Sequence, residues 1–278
     1  MTATVRGGVE PPTTARWPLD RLSVDGDDFV LVVGDELCGA GGWLFGGWAQ
    51  GLLADAVQRA SERHLQDLSV SYLRPVACGQ RLRVRCAVLA EGRALSHYRV
   101  EALDDSGRPV LAGTAVVGPE PDASESVTPA PDAAPPEQCP ERPYLVPPGT
   151  GVATLLDVRT IEERLTAGVA STMLLWGRLR CDVPAAVRLA VLSDHVPYHL
   201  LRSLPTLTRA STVSSTLRIT GSAATEWVLF DVRLSALGRR TALGRSSMWS
   251  ADGRLLALAE QTARLSWAER RDEPRGDR

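Results

Sequence analysis

The spacing of apolar and polar residues divides the chain into two halves, each with one helical stretch and several strand-like stretches. In the first half, apolar residues recur at helical spacing over residues 44–61, behind a glycine-rich entry. Alternating runs typical of half-buried strands follow, and the second of them is split by a turn at Glu91-Gly92. The predicted strand regions of this half are 65–76, 80–103 and 108–118.

The second half repeats this order with its own helix. A strand is predicted at 171–180, and the apolar run at 184–204 predicts one long helix. The strands predicted after it are 211–220, 226–238, 239–250 and 255–267. A long helix followed by an antiparallel meander, found twice, predicts an α+β protein with a tandem (double) hotdog fold. In that fold each half is a long central helix wrapped by a curved antiparallel sheet.

A change of composition separates the two halves. Proline, acidic and small residues dominate residues 119–151, and we expect a linker there that buries no core. This boundary places an N-terminal hotdog domain at 1–118 and a C-terminal hotdog domain, with the active site, at 152–267. The charged residues 268–278 predict a disordered tail.

Composition and charge argue against several functional classes. The 278 residues carry a formal net charge of −2, so the chain lacks the basic excess typical of nucleic-acid-binding proteins. The five cysteines form no Cys-x-x-Cys pair, and we expect neither a metal nor a cofactor. No signal peptide or membrane-spanning run is visible, so we expect a cytoplasmic protein without a membrane partner. Every basic residue is arginine, which indicates a high-GC bacterial source.

The candidate chemistry centres on an acid within the second predicted helix. Asp194 lies in LSDHVPYHLL, residues 192–201, among apolar residues and next to two histidines. Burial there would raise the pKa of the carboxylate, which suits a general base. Asp194 could instead be a helix N-cap with Pro197 in the first turn, although the apolar run before it indicates a helix already under way.

Several short motifs, in order, resemble the double-hotdog acyl-CoA thioesterases of the type II class. In the first half the resemblance lies in LFGG at 44–47, which opens the helix, and SYLRP at 71–75. The second half continues it with LDVR (156–159), LWGRL (175–179), SD followed by a proline (193–197), EWVLF (226–230) and DGRLLALAEQ (252–261). The resemblance covers most of residues 30–267.

This resemblance implies a catalytic set in the second half. The family's helix acid falls on Asp194, its strand Thr or Ser on Thr212, and its last-strand Gln on Gln261. Asp194 would then be the general base, with Thr212 and Gln261 orienting the water. We also take Gly46, Gly47, Trp48 and His195 as candidate substrate-binding residues.

The function implied is hydrolysis of an acyl thioester, of CoA or an acyl-carrier protein, to a free acid and a thiol by Asp-activated water. The chain has no G-x-S-x-G elbow, which argues against a serine hydrolase. Two alternatives remain: an enoyl-thioester hydratase or dehydratase using Asp194 and His199, and a non-catalytic acyl-thioester-binding protein. We expect a homo-oligomer that serves lipid or specialised metabolism.

A second site in the first half is conceivable. Asp55 follows the Gly46-Gly47 pair on the predicted helix, as a helix acid follows a glycine pair in small aryl-CoA thioesterases. Because the spacing here is longer, we favour a solvated helix residue at Asp55.

Overall fold

The computed structural model describes residues 18–121, 127–142, 146–166, 169–221 and 225–268. Three α-helices lie within these ranges: α1 (Gly46–Ser61), α2 (Ala185–Leu192) and α3 (Val196–Ser203). The strands of the first half are β1 (Ser23–Asp25), β2 (Asp28–Val32), β3 (His64–Tyr72), β4 (Arg81–Ala90), β5 (Ser96–Leu103) and β6 (Pro109–Gly118). Those of the second half are β7 (Leu156–Thr166), β8 (Val169–Leu179), β9 (Leu207–Ile219), β10 (Val228–Leu237), β11 (Thr241–Ser250) and β12 (Leu255–Trp267).

The strands form one continuous antiparallel sheet. Its order is β1-β2-β4-β5-β6-β3-β9-β12-β11-β10-β8-β7, so that all first-half strands lie on one side and all second-half strands on the other. The two sides are joined by β3 and β9, which pair antiparallel through residues 67–71 and 214–218. Among the described residues, no helix is both long and apolar enough to cross a bilayer.

The pattern of the sequence locates most of these elements within a few residues. The predicted helix at 44–61 corresponds to α1, and the turn at Glu91-Gly92 separates β4 from β5. Three strands are not among those predicted from alternation: β1 and β2 are short, and β7 carries charged residues along most of its length.

The prediction of one long helix at 184–204 is wrong. The chain forms α2, leaves the helical path at residues 193–195, and resumes as α3. Pro197 lies in the first turn of α3, where its missing N–H costs nothing. A long central helix is therefore present in the first half alone, and the second half has two short helices around a break.

Both halves share one hydrophobic core. The apolar face of α1 packs on β3 to β6, whereas α3 packs on β8, β9, β11 and β12. The two layers of helix meet because α1 and α2 pack directly against each other. Buried residues of both halves consequently form one continuous cluster, which includes Trp48, Leu53, Val187, Leu192 and Phe230.

Part of the proline-rich stretch between the halves packs on the second-half sheet. Cys139 joins Trp176 and Trp249 in a second apolar cluster on the outer face of the second-half sheet. The indole N–H of Trp176 donates to the carbonyl of Ala134 at 2.8 Å. The expectation that this stretch buries no core is therefore wrong for these residues. The predicted tail at 268–278 lies outside the described residues except for residue 268.

Asp55 is a buried ion-pair partner and not the solvated residue expected. Its side chain is 4% exposed, and the Arg59 guanidinium contacts it at 2.8 Å one helical turn later. Burial raises the pKa of Asp55 to about 6, although Arg59 opposes the shift. The carboxylate thus serves the packing of the first half.

The raised pKa of Asp55 predicts a measurable pH dependence of stability. Between about pH 4 and 6 the folded chain binds the Asp55 proton more tightly than the unfolded chain, so this group's contribution to stability falls as pH rises. The shift corresponds to about 3 kcal/mol across the window. In urea unfolding, the stability of wild type relative to Asp55→Asn should decline over this range. A difference that stays constant with pH would contradict the assignment.

Candidate active site

The predicted catalytic residues meet at the seam between the two halves of the sheet. Thr212 lies on β9, the strand that pairs with the first half, and Gln261 lies on the neighbouring strand β12. Asp194 lies in the break between α2 and α3. The break lets the Asp194 side chain turn towards the two strands, so residues far apart in sequence converge.

Three groups donate hydrogen bonds to the Asp194 carboxylate. Thr212 Oγ1 donates to Asp194 Oδ1 at 3.0 Å, and Gln261 Nε2 donates to the same oxygen at 2.5 Å. The backbone N–H of Gly47, in the first turn of α1, is the third donor. Gln261 also accepts the backbone N–H of Val196 through Oε1 at 3.0 Å, so its amide joins the acid to the start of α3.

The pKa of Asp194 is raised. The side chain is almost fully buried, and desolvation is the largest cause of the shift. The hydrogen bonds from Gln261, Thr212 and Gly47 favour the carboxylate and oppose the shift without cancelling it. The result is an acid that stays basic enough to accept a proton yet is held in one orientation.

Two glycines allow α1 to approach the break this closely. A Cβ at Gly46 would lie 2.5 Å from Asp194 Oδ2, and a Cβ at Gly47 would lie 2.1 Å from the carbonyl oxygen of Val191. Any side chain would therefore push α1 away. The first N–H groups of the helix have no intrahelical acceptor and carry partial positive charge, which favours the nearby carboxylate.

Tyr72 is a site residue that the sequence analysis did not single out. Its hydroxyl donates to the carbonyl of Gly46 at 2.9 Å and thereby fixes the start of α1. Burial and the negative charge of Asp194 raise the pKa of the phenol, so it remains a donor. The signal was present, because Tyr72 belongs to the motif SYLRP, but the motif alone does not say what the phenol contacts.

The other candidate substrate-binding residues differ in their surroundings. Gly46 and Gly47 border Asp194, whereas Trp48 is fully buried in the core. His195 is also fully buried, and its Nδ1–H donates to the carbonyl of Leu192 at 2.6 Å. Burial lowers the pKa of His195 to about 4, so the imidazole is neutral near pH 7. Its contact with Leu192 supports the break.

His199, the partner of Asp194 in the hydratase alternative, is buried in α3. Its backbone N–H donates to the carbonyl of His195 within the helix. The described hydrogen bonds of the Asp194 carboxylate go to Thr212, Gln261 and Gly47, none of them a histidine. The described contacts therefore give the Asp/His alternative no hydrogen-bonded pair.

Models of one protein family match both halves of the chain. The model described as the acyl-CoA thioesterase N-terminal domain matches residues 35–118, and the model described as the C-terminal domain matches residues 131–265. No curated protein sequence matches this chain significantly.

Solved structures with similar folds come from several bacteria. A candidate thioesterase from Novosphingobium aromaticivorans is 27% identical with a TM-score of 0.77, over 88% of this chain and 98% of that one. A hot dog protein of unknown function from Alicyclobacillus acidocaldarius is 24% identical with a TM-score of 0.76, over 91% and 98%. An acyl-CoA thioesterase II from Mycobacterium marinum is 19% identical with a TM-score of 0.70, over 89% and 96%. Their likeness establishes a hotdog fold for this chain.

The close approach of α1 predicts unequal costs for two glycine substitutions. In Gly47→Ala the new methyl group meets backbone, so the helices must separate, at a cost of about 2–3 kcal/mol. In Gly51→Ala it meets a methyl group of the Val191 side chain and not backbone, so a smaller shift relieves the contact, and the better helix propensity of Ala offsets part of the strain. Urea unfolding of both variants should show this difference. Equal destabilisation would mean that the approach at Gly47 is looser than described.

Proposed function

The chain belongs to the acyl-CoA thioesterase family, whose members hydrolyse acyl thioesters, and on this basis we propose that it cleaves acyl-CoA with water activated by Asp194. The observation that supports this proposal is that Thr212 and Gln261 both donate hydrogen bonds to the buried carboxylate of Asp194. Coenzyme A is the carrier we propose, and acyl-carrier protein is the alternative to be tested beside it.

The hydrogen bonds that the Asp194 carboxylate already accepts leave it one position for a water molecule. An ionised carboxylate offers about four lone-pair sites, and donors from Thr212, Gln261 and Gly47 use three. The fourth can accept a proton from water. The Thr212 hydroxyl donates its hydrogen bond to Asp194, so its oxygen can accept a hydrogen bond from the same water. A lone pair of that water then faces the substrate.

The reaction follows from this arrangement. The oxygen of the water attacks the thioester carbonyl carbon while Asp194 takes a proton from it. The tetrahedral intermediate then collapses, the carbon–sulfur bond breaks, and the proton on Asp194 passes to the departing thiolate. The products are a carboxylic acid and a free thiol, and no covalent acyl-enzyme is formed.

We place the developing oxyanion at the start of α1. The N–H groups in the first turn of this helix have no intrahelical acceptor, and that of Gly47 already donates to Asp194. The helix dipole stabilises negative charge at this end. In this proposal the first half supplies the oxyanion donors and the second half supplies the base.

This division between oxyanion donors and base matches the two predicted domains. We propose a tandem hotdog with halves at 1–118 and 152–267, joined by 119–151, and a single site at their seam. In the first half, the acid that the sequence singled out, Asp55, is paired with Arg59.

Replacing the base tests the mechanism directly. Asp194→Asn keeps the size of the side chain and one oxygen that can accept from Thr212 and Gln261, but it removes the proton acceptor, so kcat for acyl-CoA hydrolysis should fall about 10³-fold. Free thiol released from a series of acyl-CoA chain lengths, and from an acyl-carrier protein, measures the activity. The variant should unfold at a temperature close to that of wild type, and full activity in it would rule out Asp194 as the base.

The raised pKa of Asp194 predicts the acid side of the pH profile. Since Asp194 works only when ionised, kcat/KM should fall at low pH with an apparent pKa above the 3.8 of an unperturbed aspartate. The residual activity of Asp194→Asn should lack this limb. An acid limb that persists unchanged in the variant would assign it to another group.

A further inference from the structure

Gln50 is a fully buried polar residue on α1 that the mechanism above does not use. It lies one helical turn after Gly46 and hence on the same face of the helix, the face that meets Asp194. A glutamine is rarely buried in a core without a specific hydrogen-bonding role.

The amide of Gln50 contacts two hydroxyl groups of the second half. Ser215 Oγ lies 2.8 Å from Gln50 Oε1, and Ser193 Oγ lies 3.3 Å from it. Ser193 directly precedes Asp194, and Ser215 is the cross-strand partner of Gln261. A single first-half side chain therefore contacts the neighbours of two proposed catalytic residues.

The amide also has a polar atom left over. Gln50 Nε2 is buried and has no hydrogen-bond partner among the described residues. Turning the amide over would exchange its N and O atoms and leave the oxygen unpartnered instead, so one polar atom of Gln50 lacks a partner among the described residues in either orientation.

We propose that Gln50 is a positioning residue through which the first half holds Asp194 and Gln261 in register for hydrolysis. It acts through Ser193 on the break between α2 and α3, and through Ser215 on the strands beside Gln261. This inference rests on the proposed function, because it concerns the same site.

The test compares variants that keep the volume of the side chain. Gln50→Met removes the amide but preserves an unbranched chain of similar length, and kcat should fall about tenfold with little change in KM. Gln50→Glu keeps an oxygen acceptor for Ser193 and Ser215 and adds a second acid close to Asp194, and where both acids ionise their repulsion moves the acid limb of kcat/KM to higher pH. The titratable groups beside Asp194, Tyr72 and His195, are unchanged in both variants.

Gln58 provides a matched control on the same helix. Its Oε1 accepts the backbone N–H of Leu65 at 3.2 Å, away from the site, so Gln58→Met removes a comparable hydrogen bond. We expect it to lower the unfolding temperature as Gln50→Met does, with kcat and the pH profile of wild type.

A double-mutant cycle separates positioning from general destabilisation. Ser215→Ala alone should lower kcat, and combining it with Gln50→Met should lower kcat by less than the product of the two single effects, because both remove the same contact. Multiplicative effects would show that the two residues act independently and would overturn the proposal.

Asp194→Asn, measured in parallel, distinguishes the two levels of inference. If Asp194→Asn is inactive while Gln50→Met keeps wild-type kcat and pH profile, the role of Gln50 is refuted and the proposed mechanism stands. If Asp194→Asn is as active as wild type, the mechanism falls and the role of Gln50 falls with it.

Discussion

The close approach of α1 to the break between α2 and α3 is the contact on which the site depends. Backbone meets backbone where Gly47 faces Val191, with no space for a Cβ atom between them. That proximity brings the positive end of a 16-residue helix against a buried carboxylate and fixes the side chains around it. Tyr72 holds the start of the helix from the sheet side, so its position is determined from two directions.

Local pattern was sufficient for the elements that obey a simple period. The helix at 44–61 and most of the strands follow from apolar spacing, because one face of each packs in the shared core. Apolar spacing does not show the break in the second helix, since residues on both sides of it are apolar and buried. The alternative of a helix start with Pro197 in the first turn is right, although the N-cap is His195 and not Asp194. Two hydrogen bonds hold the break, one between His195 and the Leu192 carbonyl and one between the Val196 N–H and Gln261. Gln261 lies 65 residues from Val196 in the chain.

The site residues were accessible to sequence reasoning for a different reason. Asp194, Thr212 and Gln261 could be selected through the order of motifs that resemble a known family, and the structure places them within hydrogen-bond distance. Gln50 lies in none of these motifs, and the motif that contains Tyr72 does not say which atoms its phenol contacts. A buried glutamine in an amphipathic helix gives no local sign that its amide ends between two serines of the other half.

Because β3 and β9 pair within one chain, the two halves can differ in sequence. A site built at the seam of two identical chains would carry each substitution twice, once on each side. Here the two sides of the seam are encoded separately. The helix start that faces Asp194 can stay glycine-lined while the second helix accepts a break and an acid, so one copy can specialise without a matching change in the other.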